Sequence, residues 1–267
     1  MKTYFCDKYT AEERAGGTSE WTHLKPAEVF ARLQKEPHCV PITVRAPMTL
    51  EHLALFHNKE YLAQMEHEWP DEFMASRYRA QGQTDAALEA INTKGCTMNL
   101  ASGFHHAEPN QYLGFCMLNG LVLAHTALQQ QIPSLRTAVL DLDAHFGNGC
   151  RTHAEKDKNF LHLDLQTGKF PARNAKEYLN AVDVILTKLN AWKPDLVEYN
   201  AGMDVLTGDR IGGGFLSLEE AWERDQKVFS FCKENQYPVV ICLAGGYQDK
   251  AVTGHVGTFH EAVLHFD

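Results

Sequence analysis

The central feature of the sequence is residues 139–149, VLDLDAHFGNG. This stretch begins as an apolar run typical of a buried strand. It then changes within a few residues into acids, an imidazole and glycines, as a strand does when it ends in a site. In an extended chain Asp143 and His145 leave the same face, so both can bind one metal ion. Gly147 then allows a sharp turn. The alternative interpretation is a solvated turn that follows a strand.

Length, composition and charge favour a soluble α/β protein. The chain has 267 residues, of which 44% are hydrophobic and 22% are charged. This length favours one large domain that spans residues 1–267 over two small domains. The net charge of −9 argues against a nucleic-acid-binding surface, because such surfaces need clustered Lys and Arg to neutralise phosphates.

Cysteine usage and the first residues predict a cytoplasmic location. The seven cysteines are widely spaced and include no C-x-x-C pair, so they indicate neither a disulfide framework nor a Cys-based zinc finger. The opening residues, MKTYFCDKYTAEER, carry charges where a signal peptide has an apolar core, and no apolar run reaches membrane-spanning length. We therefore expect a protein of the reducing cytosol without a membrane span.

Strand and helix patterns alternate along the chain. This alternation, without repeats or linkers, predicts a single-domain α/β fold with a mostly parallel β-sheet flanked by helices on both faces. Strands are predicted at residues 3–6, 40–44, 97–100, 136–143, 159–165, 196–199 and 239–243. Helices are predicted at residues 27–34, 50–57, 59–67, 84–92, 119–130, 174–191, 217–234 and at the end of the chain. Residues 10–25 are predicted to be loop, and residues 69–84 helix ends and connection.

Polar side chains follow several predicted strands, where open α/β sheets gather their sites. His105 and His106 come directly after one strand and can be aimed at a ligand, although pairs of exposed loop histidines are also common. Asp204 places a carboxylate after another strand. Tyr247 follows two glycines after a third strand, where a mobile backbone can carry it to the same pocket.

Five short blocks together resemble the histone deacetylase family, which has the arginase/deacetylase fold. The blocks occur in the family's order, and the resemblance covers about residues 40 to 250. They are GFHHA at 103–107, GFC at 114–116, DLDAHFGNG at 141–149, AGMD at 201–204 and GGY at 245–247. The segments YNAGMDVLTGDRIGG at 199–213 and GGYQ at 245–248 are most similar to class IV deacetylases. The human member of that class removes long acyl chains from lysine.

The resemblance implies a zinc-dependent amidohydrolase. Such an enzyme removes acetyl or longer acyl groups from lysine side chains by attack of a metal-activated water. Asp143, His145 and Asp204 would hold one Zn²⁺ and leave a position for water and the substrate carbonyl. Oxygen and nitrogen ligands do not exclude Fe²⁺. The expected partner is an acylated lysine peptide or a small acylated amine.

The resemblance also implies roles for the side chains beside the metal. His106 would act as general base and then as acid, while His105 would be an electrostatic partner held by Asp141. Tyr247 would donate its hydroxyl to the oxyanion. Asn148 stands where class I members have an acid, so it can accept a hydrogen bond from His106 but gives it no negative charge. We therefore expect His106 to be less readily protonated than in acid-paired relatives.

A substrate channel and a potassium site complete the implied site. Gly114 would offer its carbonyl to the substrate amide, and Phe115 would form one wall of the channel, with Phe170 as the facing wall. Ile211 would form an apolar rim. The family also binds structural K⁺ around the central strand. Its implied ligands are backbone oxygens of Asp141, Asp143, His145 and Leu165 and the side chain of Asp164.

Three other functions compete with this hypothesis. An arginase-like enzyme with two Mn²⁺ ions would carry the motif D-x-H-x-D at the central strand. This chain has Gly147 at the last position of that motif, so the second metal lacks its ligand. A polyamine deacetylase shares fold and mechanism but carries an acidic gatekeeper at the place of Ile211. An inactive acyl-ligand-binding homologue is the third, although every implied ligand, both histidines and the tyrosine are present.

Overall fold

The sheet that underlies the fold has seven strands, all parallel. The structure is a computed structural model that describes residues 1–10, 21–165, 172 and 174–266. Its strands are β1 Lys2–Phe5, β2 Val40–Thr43, β3 Cys96–Asn99, β4 Thr137–Asp141, β5 Phe160–Asp164, β6 Leu196–Asn200 and β7 Val239–Cys242. They lie in the order β2-β1-β3-β7-β6-β4-β5. The predicted α/β fold with a parallel sheet is confirmed.

Two groups of helices cover this sheet. The helices are α1 Trp21–Leu33, α2 Leu50–Leu53, α3 Lys59–Glu68, α4 Pro70–Thr93, α5 Gly120–Gln129, α6 Asn148–Ala154, α7 Ala175–Trp192, α8 Leu218–Glu234 and α9 Asp249–Phe266. In one group α1 packs on α9, α9 on α8 and α8 on α7. In the other group α4 packs on α5 and on the central strands. Within the described ranges, no helix combines the length and the apolar character needed to cross a bilayer.

The strands that lead to the site are buried along their whole length. Every residue of β3, β4, β6 and β7 is buried, as expected for parallel strands covered on both faces. The edge strand β2 is mostly exposed and contains Pro41, which has no N–H to offer to a further strand. The seven cysteines, which all lie in the described ranges, form no disulfide bond.

The prediction for residues 69–84 is wrong, because α4 runs unbroken from Pro70 to Thr93. Polar residues that are buried on this helix interrupt its apolar periodicity. Arg79 is ion-paired with Glu72, and Gln83 donates a hydrogen bond to Oε2 of Glu198 at 2.8 Å. Buried polar side chains with partners in the fold remove the apolar periodicity on which the prediction depended.

Three smaller predictions also need correction. The loop predicted for residues 10–25 ends earlier, because α1 begins at Trp21 and contains Pro26; residues 11–20 lie outside the described residues. A proline in a helix interior removes one backbone hydrogen bond, which is why the helix was expected to start after it. The helix predicted at 50–57 ends at Leu53. Helix α6 was not predicted, because its glycines indicated a turn.

Candidate active site

The carboxyl ends of four neighbouring strands meet at one edge of the sheet. β3, β7, β6 and β4 are adjacent in that order. Because these strands are parallel, the loops that follow them open on one crevice. In the same order, the loops carry the histidine pair at 105–106, then Tyr247, then Asp204, and then Asp143 with His145.

The three predicted metal ligands lie together in this crevice. Nδ1 of His145 is 3.1 Å from Oδ1 of Asp143 and 2.9 Å from Oδ2 of Asp204. Ligands about 2.0–2.1 Å from a tetrahedral ion are roughly 3.3 Å apart, so these spacings fit one ion after small shifts. Oδ2 of Asp204 is buried and, apart from its contact with Nδ1 of His145, has no hydrogen-bond partner among the described residues, so a cation can take that place. The residues present therefore fit a metal with three protein ligands.

The electrostatics of this cluster favour a bound cation. Burial and the charge of Asp143 raise the pKa of Asp204 to about 7. Hydrogen bonds to both carboxylates raise the pKa of His145 to about 11. A metal ion removes the repulsion between the two carboxylates. The backbone N–H of Gly245 donates to Oδ2 of Asp143 at 2.7 Å, and a Cβ on this glycine would lie 2.4 Å from Asp204 Oδ2. Only glycine fits at this position.

His105 is buried and held by a carboxylate, as predicted from the sequence. Its Nδ1 lies 2.8 Å from Oδ2 of Asp141, and Nδ2 of Asn200 donates to the other oxygen of that carboxylate at 2.7 Å. Burial opposes protonation, but the charges of Asp141 and Asp143 raise the pKa of His105 to about 9. His105 therefore carries positive charge at neutral pH when both carboxylates are ionised.

His106 lies beside His105, with ring centroids 4.0 Å apart, and has the opposite protonation state. The Nδ2 group of Asn148 donates to the backbone oxygen of His106 at 3.1 Å and to Oε1 of Glu108 at 3.0 Å. This network assigns Oδ1 of Asn148 as the acceptor of the Nδ1–H of His106, at 2.8 Å. The Nε2 atom then carries a free lone pair. Burial and the charge of His105 lower the pKa of His106 to about 4, so His106 is a neutral base at neutral pH.

A buried carboxylate positions Tyr247 beside the metal ligands. Its ring centroid lies 6.4 Å from that of His145. Its backbone N–H donates to Oδ2 of Asp209 at 2.7 Å, while Oδ1 of Asp209 accepts from the N–H of Ile211 at 3.0 Å. Burial and the charge of Asp143 raise the pKa of Tyr247 well above its usual range, so the hydroxyl stays protonated and can donate a hydrogen bond.

Gly114 and Phe115 form the side of a narrow cavity. The ring centroid of Phe115 is 5.9 Å from that of Tyr247. Gly114 has a φ of 52°, and a Cβ there would lie 2.2 Å from the ring of His106, so only glycine allows this approach. The cavity has a volume of about 30 Å³. Its lining includes these residues and the ion pair between Glu72 and Arg79.

The other two residues predicted to form the channel are Phe170 and Ile211. Phe170 lies outside the described residues. Ile211 lies at the rim and is 42% exposed. Its backbone oxygen is 3.2 Å from Nε2 of His145. The backbone of Ile211 therefore orients the imidazole, which the sequence did not predict.

Comparison with known proteins identifies the family. A sequence model of the histone deacetylase domain matches residues 21–178 and 171–263. The chain belongs to the histone deacetylase family. This finding confirms the predicted family. No part of it separates class IV from the other classes.

Individual relatives are distant in sequence. Histone deacetylase 2 of Arabidopsis thaliana is 31% identical over 185 residues, which cover 62% of this chain and 48% of the relative. A probable deacetylase of Methanothermobacter thermautotrophicus is 24% identical over 216 residues, with coverages of 68% and 62%. The chain therefore spans about half the length of the Arabidopsis relative. The crystal structure of the HDA15 HD domain has 19% identity and a TM-score of 0.82, and the match covers 98% of this chain and 91% of that one. It shares the fold.

The potassium ligands expected for a histone deacetylase lie beside the metal cluster. Asp141 and Asp164 are paired across β4 and β5. Oδ2 of Asp164 accepts from the N–H of Gly147 at 2.9 Å, and Leu165 is buried. Asp141, His162 and Asp164 form a second group whose ligand atoms lie within 4.8 Å of one another. The potassium ion itself stays a prediction.

Four site residues were missed from the sequence. Glu108 orients Asn148, Asp209 holds the Tyr247 loop, and Asn200 supports Asp141, as described above. Lys25 is buried, and its Nζ donates to the backbone oxygens of Ala244 and Gly245 at 2.6 and 3.0 Å. Asp209 and Asn200 stand in the segment YNAGMDVLTGD at the end of a strand, which is a usable signal. Nothing in the local sequence distinguishes Lys25 from a surface lysine.

Proposed function

We propose that this chain removes acyl groups from lysine side chains by metal-assisted hydrolysis of the amide. One observation carries this proposal: three metal-ligand side chains face an unprotonated imidazole, a protonated imidazole and a phenol in one crevice. Water attack on an amide needs a base, stabilisation of the oxyanion and an acid for the leaving amine. The crevice provides a group for each task.

Asp143, His145 and Asp204 would hold the metal, which we propose to be Zn²⁺. When bound with an open position, such an ion polarises the amide carbonyl and lowers the pKa of its water. Two carboxylates and one imidazole also suit Fe²⁺, so metal analysis of the purified protein has to separate the two ions. A K⁺ ion beside Asp164 is proposed on family grounds.

The remaining side chains transfer protons and stabilise the negative charge that develops during the reaction. His106 accepts the proton of the water at Nε2, because its Nδ1–H is committed to Asn148. The same imidazole then protonates the leaving amine. His105 stays charged and supports the negative charge that develops in the transition state. Tyr247 donates its hydroxyl to the oxyanion.

The substrate is proposed to be an acylated lysine in a peptide. Phe115 and Gly114 suit a narrow channel for an alkyl chain, and the rim residue Ile211 is apolar rather than acidic. An apolar rim disfavours the distant ammonium of an acetylated polyamine, which is the second candidate substrate. Assignment to class IV is a further proposal that depends on the sequence resemblance. Location in the cytosol is proposed from the cysteine usage, and a single domain over residues 1–267 from the length and the alternation of strands and helices.

A substrate panel tests this function. The purified protein is assayed with acetyl-, decanoyl- and myristoyl-lysine peptides and with acetylated polyamines. We expect turnover of a peptide substrate, with a loss of about 10²- to 10³-fold in kcat in Tyr247→Phe, as for removal of one oxyanion donor. Asp143→Ala should lose the metal and the activity. Tyr237→Phe, whose hydroxyl contacts Asn190 instead, is the matched control.

Two outcomes would contradict the proposal. Undiminished turnover by Asp143→Ala or Tyr247→Phe would remove the mechanism. Absence of turnover by wild-type protein with stoichiometric zinc would favour an inactive homologue that binds acyl ligands.

A further inference from the structure

A third group of metal-ligand side chains lies away from the active site. His125 on α5, His153 on α6 and Asp157 before β5 place three ligand atoms within 4.8 Å of one another. Thr137, which contacts His125, begins β4, whereas Asp141 ends it. At about 3.3 Å per residue, the two groups are roughly 13 Å apart along the strand. They are separate sites.

The two imidazoles converge on one carboxylate oxygen. Nε2 of His125 is 3.1 Å and Nε2 of His153 is 3.7 Å from Oδ2 of Asp157. These distances bracket the separation of roughly 3.3 Å between ligands of a tetrahedral zinc ion. The longer distance is outside hydrogen-bond range, and Nε2 of His153 is buried with no hydrogen-bond partner among the described residues. A polar nitrogen therefore points at the carboxylate without a bond that explains its burial.

The surrounding residues hold these side chains in place. Nδ1 of His125 is 2.9 Å from Oγ1 of Thr137, and Oδ1 of Asp157 accepts the N–H of Asn159 at 2.8 Å. The ring of Phe160 packs against both imidazoles, with centroid distances of 5.1 and 5.0 Å. Hydrogen bonds to the second atom of a ligand are what orient the ligands of known metal sites. The group is preorganised in the same way.

We propose that His125, His153 and Asp157 bind a divalent transition-metal ion, with Zn²⁺ as the best fit. Two imidazole nitrogens and one carboxylate suit zinc and disfavour Mg²⁺ and Ca²⁺, which prefer oxygen ligands. The carboxylate side chain is 22% exposed, which gives the ion a route of entry and a place for a water ligand. The bound ion joins α5, α6 and the start of β5, so its role is structural.

Counting bound zinc tests this proposal independently of catalysis. Untagged protein is equilibrated with Zn²⁺ and desalted, and its metal content is measured. We expect two equivalents per chain in the wild type and one in the active-site double variant Asp143→Asn/Asp204→Asn. Adding His153→Gln to that double variant should remove the last equivalent. Addition of Zn²⁺ should raise the unfolding temperature of the double variant but not that of the triple variant.

Two further variants serve as an alternative and as a control in this test. Asp157→Asn removes the shared oxygen with almost no change in size, and it replaces His153→Gln if the latter does not fold. His67→Gln, which removes an exposed histidine, should leave the zinc count unchanged. The proposal is overturned if the folded double variant Asp143→Asn/Asp204→Asn binds no zinc. It is also overturned if the count stays at one equivalent in that background after both His153→Gln and Asp157→Asn.

Discussion

At the scale of single residues, burial and the charge of His105 lower the pKa of His106, and its hydrogen-bond partner Asn148 is neutral and does not offset them with a negative charge. We predict that a carboxylate in its place raises the pKa of His106 from about 4 by roughly one unit or more, because a negative charge favours the imidazolium. The base is then protonated up to a higher pH. The acidic limb of the pH profile of kcat/KM should therefore move to higher pH in Asn148→Asp, measured with an acetyl-lysine peptide.

Glu108 contacts Asn148 and therefore affects this experiment, so a variant of Glu108 is needed as a control. Its Oε1 accepts a hydrogen bond from Asn148 Nδ2 at 3.0 Å, so the introduced carboxylate would face a second carboxylate. The double variant Asn148→Asp/Glu108→Gln restores a donor at this contact and should show the full shift of the acidic limb. An acidic limb that coincides with that of the wild type in both variants would contradict the role assigned to His106.

Sequence reasoning at this scale depended on patterns near strand ends. Asp143 and His145 were predicted to bind one metal ion because they follow a strand, and the family resemblance added Asp204. The structure brings the three side chains together. The contacts of Glu108 and Lys25 could not be predicted. Each depends on a partner far along the chain, 40 residues for Glu108 and 219 for Lys25, and on a packing arrangement that no local pattern reports.

At the scale of elements, His57 joins two helices and makes the protein sensitive to acid. It follows α2, and its Nε2 accepts the N–H of Asn119, the N-cap of α5, at 3.0 Å. Burial lowers the pKa of His57 to about 4, so the unfolded chain binds a proton below about pH 6.5 while the folded chain does not. The stability contributed by the neutral imidazole is complete above that pH. It is lost as the pH falls toward 4.

This loss of stability in acid can be measured by comparing the wild type with His57→Gln. Between pH 7 and 5, the wild type should lose about 2 kcal/mol more free energy of unfolding than His57→Gln, as measured by urea denaturation. His67→Gln, at an exposed position, should follow the wild type. Equal losses in wild type and His57→Gln would show that the imidazole is not buried as a neutral group.

Strands were more predictable than helices in this chain. Parallel strands covered on both faces are continuous apolar runs with clear ends, and each predicted strand overlaps an observed one. Helix α4 was missed over its first half because it buries Arg79 and Gln83 beside their partners. Arg79 pairs with Glu72 on α4 itself, whereas the partner of Gln83, Glu198, becomes visible only when α4 and β6 lie against each other.

At the scale of the whole molecule, the cavity lined by Gly114, Phe115 and Tyr247 limits the acyl group. Its volume of about 30 Å³ is that of one or two small groups, and its lining includes the buried ion pair of Glu72 and Arg79. A long apolar chain would have to displace packed atoms and lie against these charges, whereas an acetyl methyl would not. This geometry opposes the preference for long acyl chains that the class IV resemblance suggests.

We therefore predict a preference for short acyl groups. Acetyl-lysine peptide should be hydrolysed with a kcat/KM about 10- to 100-fold higher than that of the same peptide with myristoyl-lysine, since overpacking costs about 1–3 kcal/mol. The comparison uses one peptide sequence, so that contacts outside the acyl group cancel. A higher kcat/KM for the myristoyl peptide would mean that the chain opens a larger pocket than the one described.

The convergence of the site was predictable because parallel strands end at one edge of their sheet. The order of strands was not predictable, since it places β7, the last strand in the sequence, between β3 and β6. That order makes the loop that carries Tyr247 the neighbour of the loop that carries the histidine pair. The family resemblance supplied this arrangement in advance, whereas the alternation of elements alone left it open.

The central claim is that one metal ion held by Asp143, His145 and Asp204 supports amide hydrolysis. The most direct measurement is acetate release from an acetyl-lysine peptide before and after chelation, followed by addition of a small excess of Zn²⁺. We predict that chelation abolishes acetate release and that zinc restores it in the wild type but not in Asp204→Asn. Full acetate release by the metal-free protein, or full restoration in Asp204→Asn, would contradict the claim.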